Sequence, residues 1–267
     1  SLCNLIRSFV TKSIIIIRMI VKNIGEKIYI FDQLTSTMDK AKEMVANGID
    51  DGTVIMAKKQ TNGRGSNNRE WISDGNDALF SIVLDLSTSK ISLIPIITAY
   101  SILLTLEAHM NKKINIKWPN DVLVDEKKIS GVLIENFIQG GVSKTILGVG
   151  ININSSHSGS QNFIYPSTSL MEILNKKMDV LLIVDQFLSN FNLLYKNLFL
   201  DKINLEKISE KLYGTGKIID FRTNYSTDEN MSENNKYKIL GLNSDGTLRV
   251  SNSKKEILNL SYSEISS

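Results

Sequence analysis

Cysteine is nearly missing: Cys3 is the only one in 267 residues. No intramolecular disulfide and no cysteine-based metal cluster can form, and a structural zinc is not expected. That usage fits a reducing, cytoplasmic setting. With 3 prolines, 42% hydrophobic and 22% charged residues, the chain is neither collagenous, proline-rich nor disordered. A charge excess is lacking too, since 31 Lys and Arg against 28 Asp and Glu leave +3. A dedicated nucleic-acid binder needs a strongly basic face, so any polyanion site here must be local. The two histidines, His109 and His157, fall in no pattern that gives them a role. Near the amino terminus the apolar run Ile14-Ile15-Ile16-Ile17 is split from Met19-Ile20-Val21 by Arg18, too short to span a bilayer. Lys22-Asn23-Ile24-Gly25-Glu26-Lys27 follows where a signal peptide would carry a small-residue cleavage site. Neither membrane insertion nor secretion is expected, and residues 1–21 read as an extension.

What is present reads as α+β. Ile28 and Ile30 alternate as in a short strand over Lys27–Phe31, and Ser36 then stands as an N-cap before Ala41, Met44 and Val45 at helical spacing. Asn47-Gly48 closes that helix. Thr53–Ala57 and Ala78–Leu86 read as strands around a Gly/Asn/Arg-rich loop over 60–77. Ser92–Met110 is apolar nearly all round with Pro95 in its first turn, the pattern of a buried helix. Three strands follow: Asn115–Asp125 interrupted at Pro119, Lys128–Phe137, and Lys144–Ile153, with turns at Glu126-Lys127 and Gly140-Gly141. Val180–Leu200 and Asn204–Leu212 read as helices. From Tyr213 only short strands remain, with Asp245-Gly246 as a hairpin turn and 224–235 as a polar loop. The spacing predicts a main domain over 22–212 and a small β domain over 213–267.

Four clusters carry chemistry. Gly63-Arg64-Gly65-Ser66-Asn67-Asn68-Arg69-Glu70-Trp71 lies in the long loop behind Lys58, Lys59 and Gln60. Its glycines let the backbone approach a ligand, and its amides and arginines can surround a phosphate. It is no dinucleotide fingerprint, because Asn68 replaces the third glycine and no βαβ unit surrounds it, and no Gly-Lys-Ser/Thr follows to make a P-loop. A merely polar loop or a Gly/Arg RNA-binding tract are the competing readings, but such tracts repeat and this one does not. Lys117-Trp118-Pro119-Asn120-Asp121 sits where proline stops a strand; alone it reads as a turn. Lys127-Lys128-Ile129-Ser130-Gly131 opens an apolar strand ending at Glu135, or is simply a solvated lysine pair. Gly148-Val149-Gly150-Ile151-Asn152 puts glycines inside a strand, where something packs on the backbone.

In order and spacing together, these clusters resemble the biotin protein ligases over about residues 22–267. The residues that carry the likeness are Ser36-Thr37, Gln60 with Gly63-Arg64-Gly65, Arg69-Glu70-Trp71, Lys117-Trp118-Pro119-Asn120-Asp121, Lys128 with Gly131, and Gly148-x-Gly150-Ile-Asn152. The resemblance implies a class II synthetase-like catalytic domain, its mainly antiparallel mixed sheet flanked by helices, and a small C-terminal SH3-like β-barrel. It implies ATP-dependent formation of biotinyl-5'-AMP and transfer of biotin to a lysine of a biotin carboxyl carrier domain of a carboxylase, with Mg²⁺. Lys128, Arg64, Arg69 and Asp121 would be catalytic, with Lys128 on carboxyl and phosphate and Asp121 receiving the carrier lysine's proton. Ser36, Thr37, Met38, Gln60, Gly63, Arg64, Gly65, Ser66, Lys128 and Gly131 would hold biotin, with Val132 and Ile151 along its tail. Arg64, Arg69, Trp71, Lys117, Asn120, Asp121, Lys128 and Asn152 would hold ATP or the adenylate. No metal ligand is assigned.

The likeness departs at three places. Ser66 and Asn68 stand where members often carry arginine and glycine, which implies weaker retention of the adenylate. Met38 replaces a frequent asparagine. About twenty residues before the core cannot house a helix-turn-helix, so operator binding is not expected. Lipoate or octanoate ligation and a non-catalytic biotin sensor are the alternatives; the loop joined to Lys-Trp-Pro-Asn-Asp favours biotin over the first, and the presence of Lys128 and Asp121 argues against the second. An exposed edge strand could pair two copies into a homodimer.

Overall fold

A computed structural model describes residues 23–66, 69–72, 75–86, 88–156, 166–220 and 236–261. The extension over 1–21, Asn68, His157 and the polar loop over 224–235 lie outside the described residues. The chain opens with β1 (Ile28–Leu34), α1 (Thr37–Ala46) and β2 (Val54–Gln60). Ser36 caps α1 as expected: its backbone is extended and its Oγ accepts from Met38 N–H at 3.2 Å, worth about 1 kcal/mol to the helix. β1 and β2 pair in parallel, the one parallel pair in a sheet that is otherwise antiparallel.

Inside the long loop are two short strands, β3 (Gly63–Arg64) and β4 (Glu70–Trp71), paired as a hairpin with Gly63 opposite Trp71. β5 (Ala78–Leu84) then leads to a 3₁₀ turn over 88–93 and to α2 (Ile94–Glu107). The window Lys90–Glu107 is long and apolar enough to cross a membrane, but 67% of it is buried inside the fold, which is how a core helix reads. The interrupted strand expected over 115–125 is two strands, β6 (Ile114–Lys117) and β7 (Asp121–Val124), joined by a tight turn through a cis Trp118–Pro119 bond. Asp125 and Glu126, both at positive φ, turn the chain into β8 (Lys127–Gln139), one residue before the expected turn, and β9 (Val142–Ile151) follows. The main sheet runs β1-β2-β5-β9-β8-β7-β6.

Alternation sends the two faces of this sheet to different partners. Phe80, Ile82, Leu147 and Val149 meet α2 and the long α4 (Val180–Phe199), whose Phe187, Phe191 and Tyr195 stack in sequence. On the other face Ile55, Val83 and Ile146 meet Met38, Ala41 and Val45 of α1. The short α3 (Leu170–Leu174) and α5 (Leu205–Ser209) had weaker signatures; α3 lay in a stretch with no element expected. The C-terminal strands β10 (Ile218–Asp220), β11 (Lys236–Leu242), β12 (Leu248–Ser251) and β13 (Ile257–Leu260) form a four-stranded antiparallel meander. Among the described residues it does not close into a barrel, and its Ile239, Leu248 and Val250 join the main core.

Candidate active site

The site follows from three missing side chains. Across the sheet Leu79, Gly150 and Gly131 stand in one row, and Ser81, Gly148 and Leu133 in the next. All six point to the α1 face, and α1 covers only the far end of it. The glycines therefore leave a trough in which ligand or side chain can rest on bare backbone. A Cβ on Gly150 would lie 2.6 Å from Trp71 Cε2 and Cζ2, and one on Gly131 2.9 Å from Trp71 Cζ3. The indole thus lies flat over this pair, delivered by the β3–β4 hairpin. Gly63 lets that hairpin close, since a Cβ there would meet the Trp71 carbonyl at 2.5 Å.

At one end of the trough the start of α1 gathers polar groups. Gln60 Oε1 accepts from Thr37 N–H at 2.7 Å, and Ser81 Oγ donates to Thr37 Oγ1 at 2.8 Å. Ser36 and Thr37 are buried, their oxygens already accept, and their own hydroxyl protons are left to meet an acceptor. At the other end Lys128 Nζ lies 2.7 Å from Asp121 Oδ1 and 5.6 Å from the Trp71 ring centroid. Both partners of the ion pair are largely removed from water, which strengthens their field on anything placed between.

The arginines are held from the side. Arg64 Nη1 meets Asp39 of α1 at 2.8 Å and Nη2 meets Glu135 of β8 at 3.4 Å, while Lys42 also pairs with Glu135. Arg64 Nε–H and Trp71 Nε1–H are buried without an acceptor, each a cost of about 1–3 kcal/mol that an incoming oxygen or nitrogen would remove. Arg69 bonds back on the loop, from Nε to Ser66 O at 3.1 Å and from Nη2 to Ser66 Oγ at 3.0 Å.

The cleft left around Trp71 is small, ≈ 40 Å³. It brings together Ser36, Thr37, Met38, Gln60, Arg64, Gly65, Ser66, Trp71, Asn120, Asp121, Lys128 and Gly131. Five expected residues do not line it. Gly63 lies behind Trp71; Arg69 turns to Ser66; Lys117 pairs in β6 opposite Asp121. Asn152 is buried and spends its side-chain N–H on Thr168 O at 3.0 Å, holding the chain after β9. Ile151, expected beside a tail, belongs to the core on the opposite face, whereas Val132 does reach the cleft. Leu79, Ser81 and the Arg64 partners Asp39 and Glu135 were not singled out. Ser81 had a readable signal: it is the polar residue in the apolar run Ala78–Leu84 and alternates onto the face of Leu79.

Asn120 forms the back wall, its Nδ2 on Val132 O at 2.7 Å. Behind it is a larger, mainly apolar cavity of ≈ 280 Å³ bounded by Pro95, Trp118, Pro119, Ile134 and Gly246. Trp118 Nε1–H reaches Gly246 O at 3.1 Å, so the C-terminal meander is tied to the site through one turn.

Residues 30–152 match the model of the biotin/lipoate A/B protein ligase family. The bifunctional ligase/repressor BirA of Bacillus subtilis is 31% identical over 178 residues, 65% of this chain and 55% of that protein. A biotin--[acetyl-CoA-carboxylase] ligase of Paracoccus denitrificans is 30% identical over 115 residues, 41% and 48% of the two chains. The chain thus spans about half the length of these relatives. Among solved structures, the biotin protein ligase from Aquifex aeolicus in complex with biotin and ATP superposes with a TM-score of 0.74 at 25% identity, covering 91% of this chain and 98% of that one. The glycine-floored trough, its lysine and its arginine hairpin all lie in or beside the matched segment, and over residues 30–152 the chain is similar to the biotin/lipoate A/B protein ligase family.

Proposed function

We propose that the chain is an ATP-dependent biotin protein ligase, which activates biotin to biotinyl-5'-AMP and transfers it to a lysine of a biotin carboxyl carrier domain. The observation that carries this is the trough itself, with hydroxyl and amide groups at one end, an apolar and glycine floor, and the Lys128–Asp121 pair at the other. A neutral ureido head suits the first end, since its carbonyl accepts hydroxyl protons and its N–H groups donate. An aliphatic tail suits the floor once Trp71 lifts. The carboxylate then ends beside Lys128.

In the first step a carboxylate oxygen bonds to the α-phosphorus as the bond to the β-phosphate oxygen breaks, releasing pyrophosphate. Two anions must meet, so positive charge held there beforehand lowers the barrier. Lys128 supplies it, and Arg64 adds to it as its buried Nε–H gains an acceptor. In the second step the neutral carrier amine bonds to the acyl carbon, AMP leaves, and the amine proton passes to Asp121 or water. A hairpin closed over the adenylate keeps water from the mixed anhydride. Among the described residues no three His, Cys, Asp or Glu side chains converge as a metal cage. Mg²⁺ fits here only as an ion carried by the phosphates and waters, with Asp121 the nearest carboxylate, where it would offset phosphate charge. The C-terminal meander supports an SH3-like reading through the β11 bulge between Ile239 and Gly241, which bends a strand as a small barrel requires.

The test is pyrophosphate–ATP exchange with biotin, lipoate, octanoate and no acid in parallel. Exchange with biotin alone is expected. Exchange with lipoate or octanoate in its place would move the chain to the other branch of its family, and exchange with none would leave a binding protein.

A further inference from the structure

One side chain covers the trough and another walls it. Trp71 covers Gly131 and Gly150 from the hairpin, whereas Met38, in the first turn of α1, is 4% exposed and sits over Gly148. A Cβ on Gly148 would stand 2.7 Å from Met38 Sδ and 3.1 Å from Cγ, so the thioether rests on strand backbone. On its other side Met38 packs with Ala41, Val45, Ile55 and Ile146 in the small core under α1. Leu133, paired with Gly148 in the same row, flanks the thioether and also borders both that core and the cleft.

We propose that Met38 is a specificity-determining residue, its thioether seated on Gly148 setting the width of the trough for the ring system of a bicyclic acid of the biotin type. The inference rests on the ligase reading above. Gly148 has no side chain, so shortening Met38 opens a space over bare strand backbone beside Leu133. Adding a methyl at 148 does the reverse, because the strand cannot yield and the flexible thioether moves into the trough. The two positions therefore predict opposite effects, and their combination predicts a cancellation that a merely structural role would not produce.

The experiment uses Met38→Ala, Gly148→Ala and the double variant, with biotin and biotin sulfone, whose ring sulfur carries two extra oxygens, as acids in pyrophosphate–ATP exchange. Met38→Ala should raise the sulfone-to-biotin ratio of kcat/KM by about tenfold or more. Gly148→Ala should raise KM for both acids by about tenfold or more, and the double variant should return the biotin KM to within about threefold of the parent. An unchanged ratio in Met38→Ala, or a double variant that melts like the parent yet is as impaired as Gly148→Ala, overturns the proposal. If Gly148→Ala does not fold, the Met38→Ala ratio decides alone. Should the parent exchange with no acid, the ligase reading fails, and calorimetric binding of the two acids to parent and Met38→Ala still decides the role of the wall.

Discussion

Replacing Lys128 by alanine separates two quantities that the Lys128–Asp121 pair combines. Exposed ion pairs are worth about 0–1 kcal/mol, and breaking a fully buried one costs about 3–5 kcal/mol. With side chains 25% and 18% exposed at 2.7 Å, this pair lies between, so Lys128→Ala should cost about 2 kcal/mol of stability. For a chain of this size that is a fall in Tm of about 4–8 °C. A fold stable by about 5–15 kcal/mol stays folded at 25 °C after that loss, so it does not touch the rate. The loss of a positioned charge at the reacting carboxylate does: exchange should drop by about 10²–10³. Removing Asp121 as well, in Lys128→Ala/Asp121→Ala, takes away the stranded carboxylate and should recover most of the Tm with none of the exchange. Melting followed by circular dichroism and exchange at saturating biotin measure the two effects on one sample. A fall in Tm with less than a tenfold loss of exchange would mean that Lys128 only holds Asp121 in place, and the reasoning from the trough would be refuted.

Other perturbations read other parts of the structure. Asp77 is buried and its Oδ1 accepts from the N–H groups of Ile153, Asn154 and Ser155 at 2.7, 3.2 and 3.2 Å; Asp77→Ala should cost about 3 kcal/mol, seen as a lower urea midpoint, and a midpoint within error of the parent would count against it. Trp71 and Trp118 are the only tryptophans, so biotin should change emission in Trp118→Phe and not in Trp71→Phe; a response kept without Trp71 would show that the indole does not lift. Ser66→Arg removes the hydroxyl that holds Arg69 and adds a cation to the hairpin, so the adenylate should leave more slowly, and an equal release rate would defeat this. The Thr247 hydroxyl and then its backbone N–H hold the Asp245 carboxyl below the usual carboxylate range. A lowered folded-state pKa stabilises above the ordinary value near about 3.9 and is lost as pH falls through the folded value. Below about pH 4 the turn that receives Trp118 should therefore loosen, and Trp118 emission in Trp71→Phe that stays flat from about pH 6 to about pH 3 would argue otherwise.

The parts of the fold legible in the sequence are those where local pattern and tertiary role agree. Ser36 caps a helix in any context, and the apolar run through α2 is buried on all sides, so both are read from short windows. The parallel pairing of β1 with β2 depends on a crossover that no window contains. The β3–β4 hairpin has strands of two residues each, below any alternation signal, and its pairing is enforced by Trp71 seeking the glycine floor. At the site, glycines within strands and the lysine at the start of β8 were readable as chemistry. Asp39, Lys42 and Glu135 were not, because exposed acids and lysines on a helix and a strand end look alike whether solvated or paired. Asn152 shows a role that no sequence window carries: its side-chain N–H ties down the backbone at Thr168, 16 residues on.

The bond from Trp118 to Gly246 joins residues 128 apart. During synthesis at about 5–20 residues per second, the turn that closes the rear of the site leaves the ribosome roughly 6–26 s after the strand end it closes. For that interval the apolar wall formed by Pro95, Trp118, Pro119 and Ile134 has no cover, and a nascent chain presents it to chaperones or to other nascent chains. A message broken between the codons for Gly150 and Gly246 yields a polypeptide that keeps every cleft-lining side chain while the rear of its site stands open.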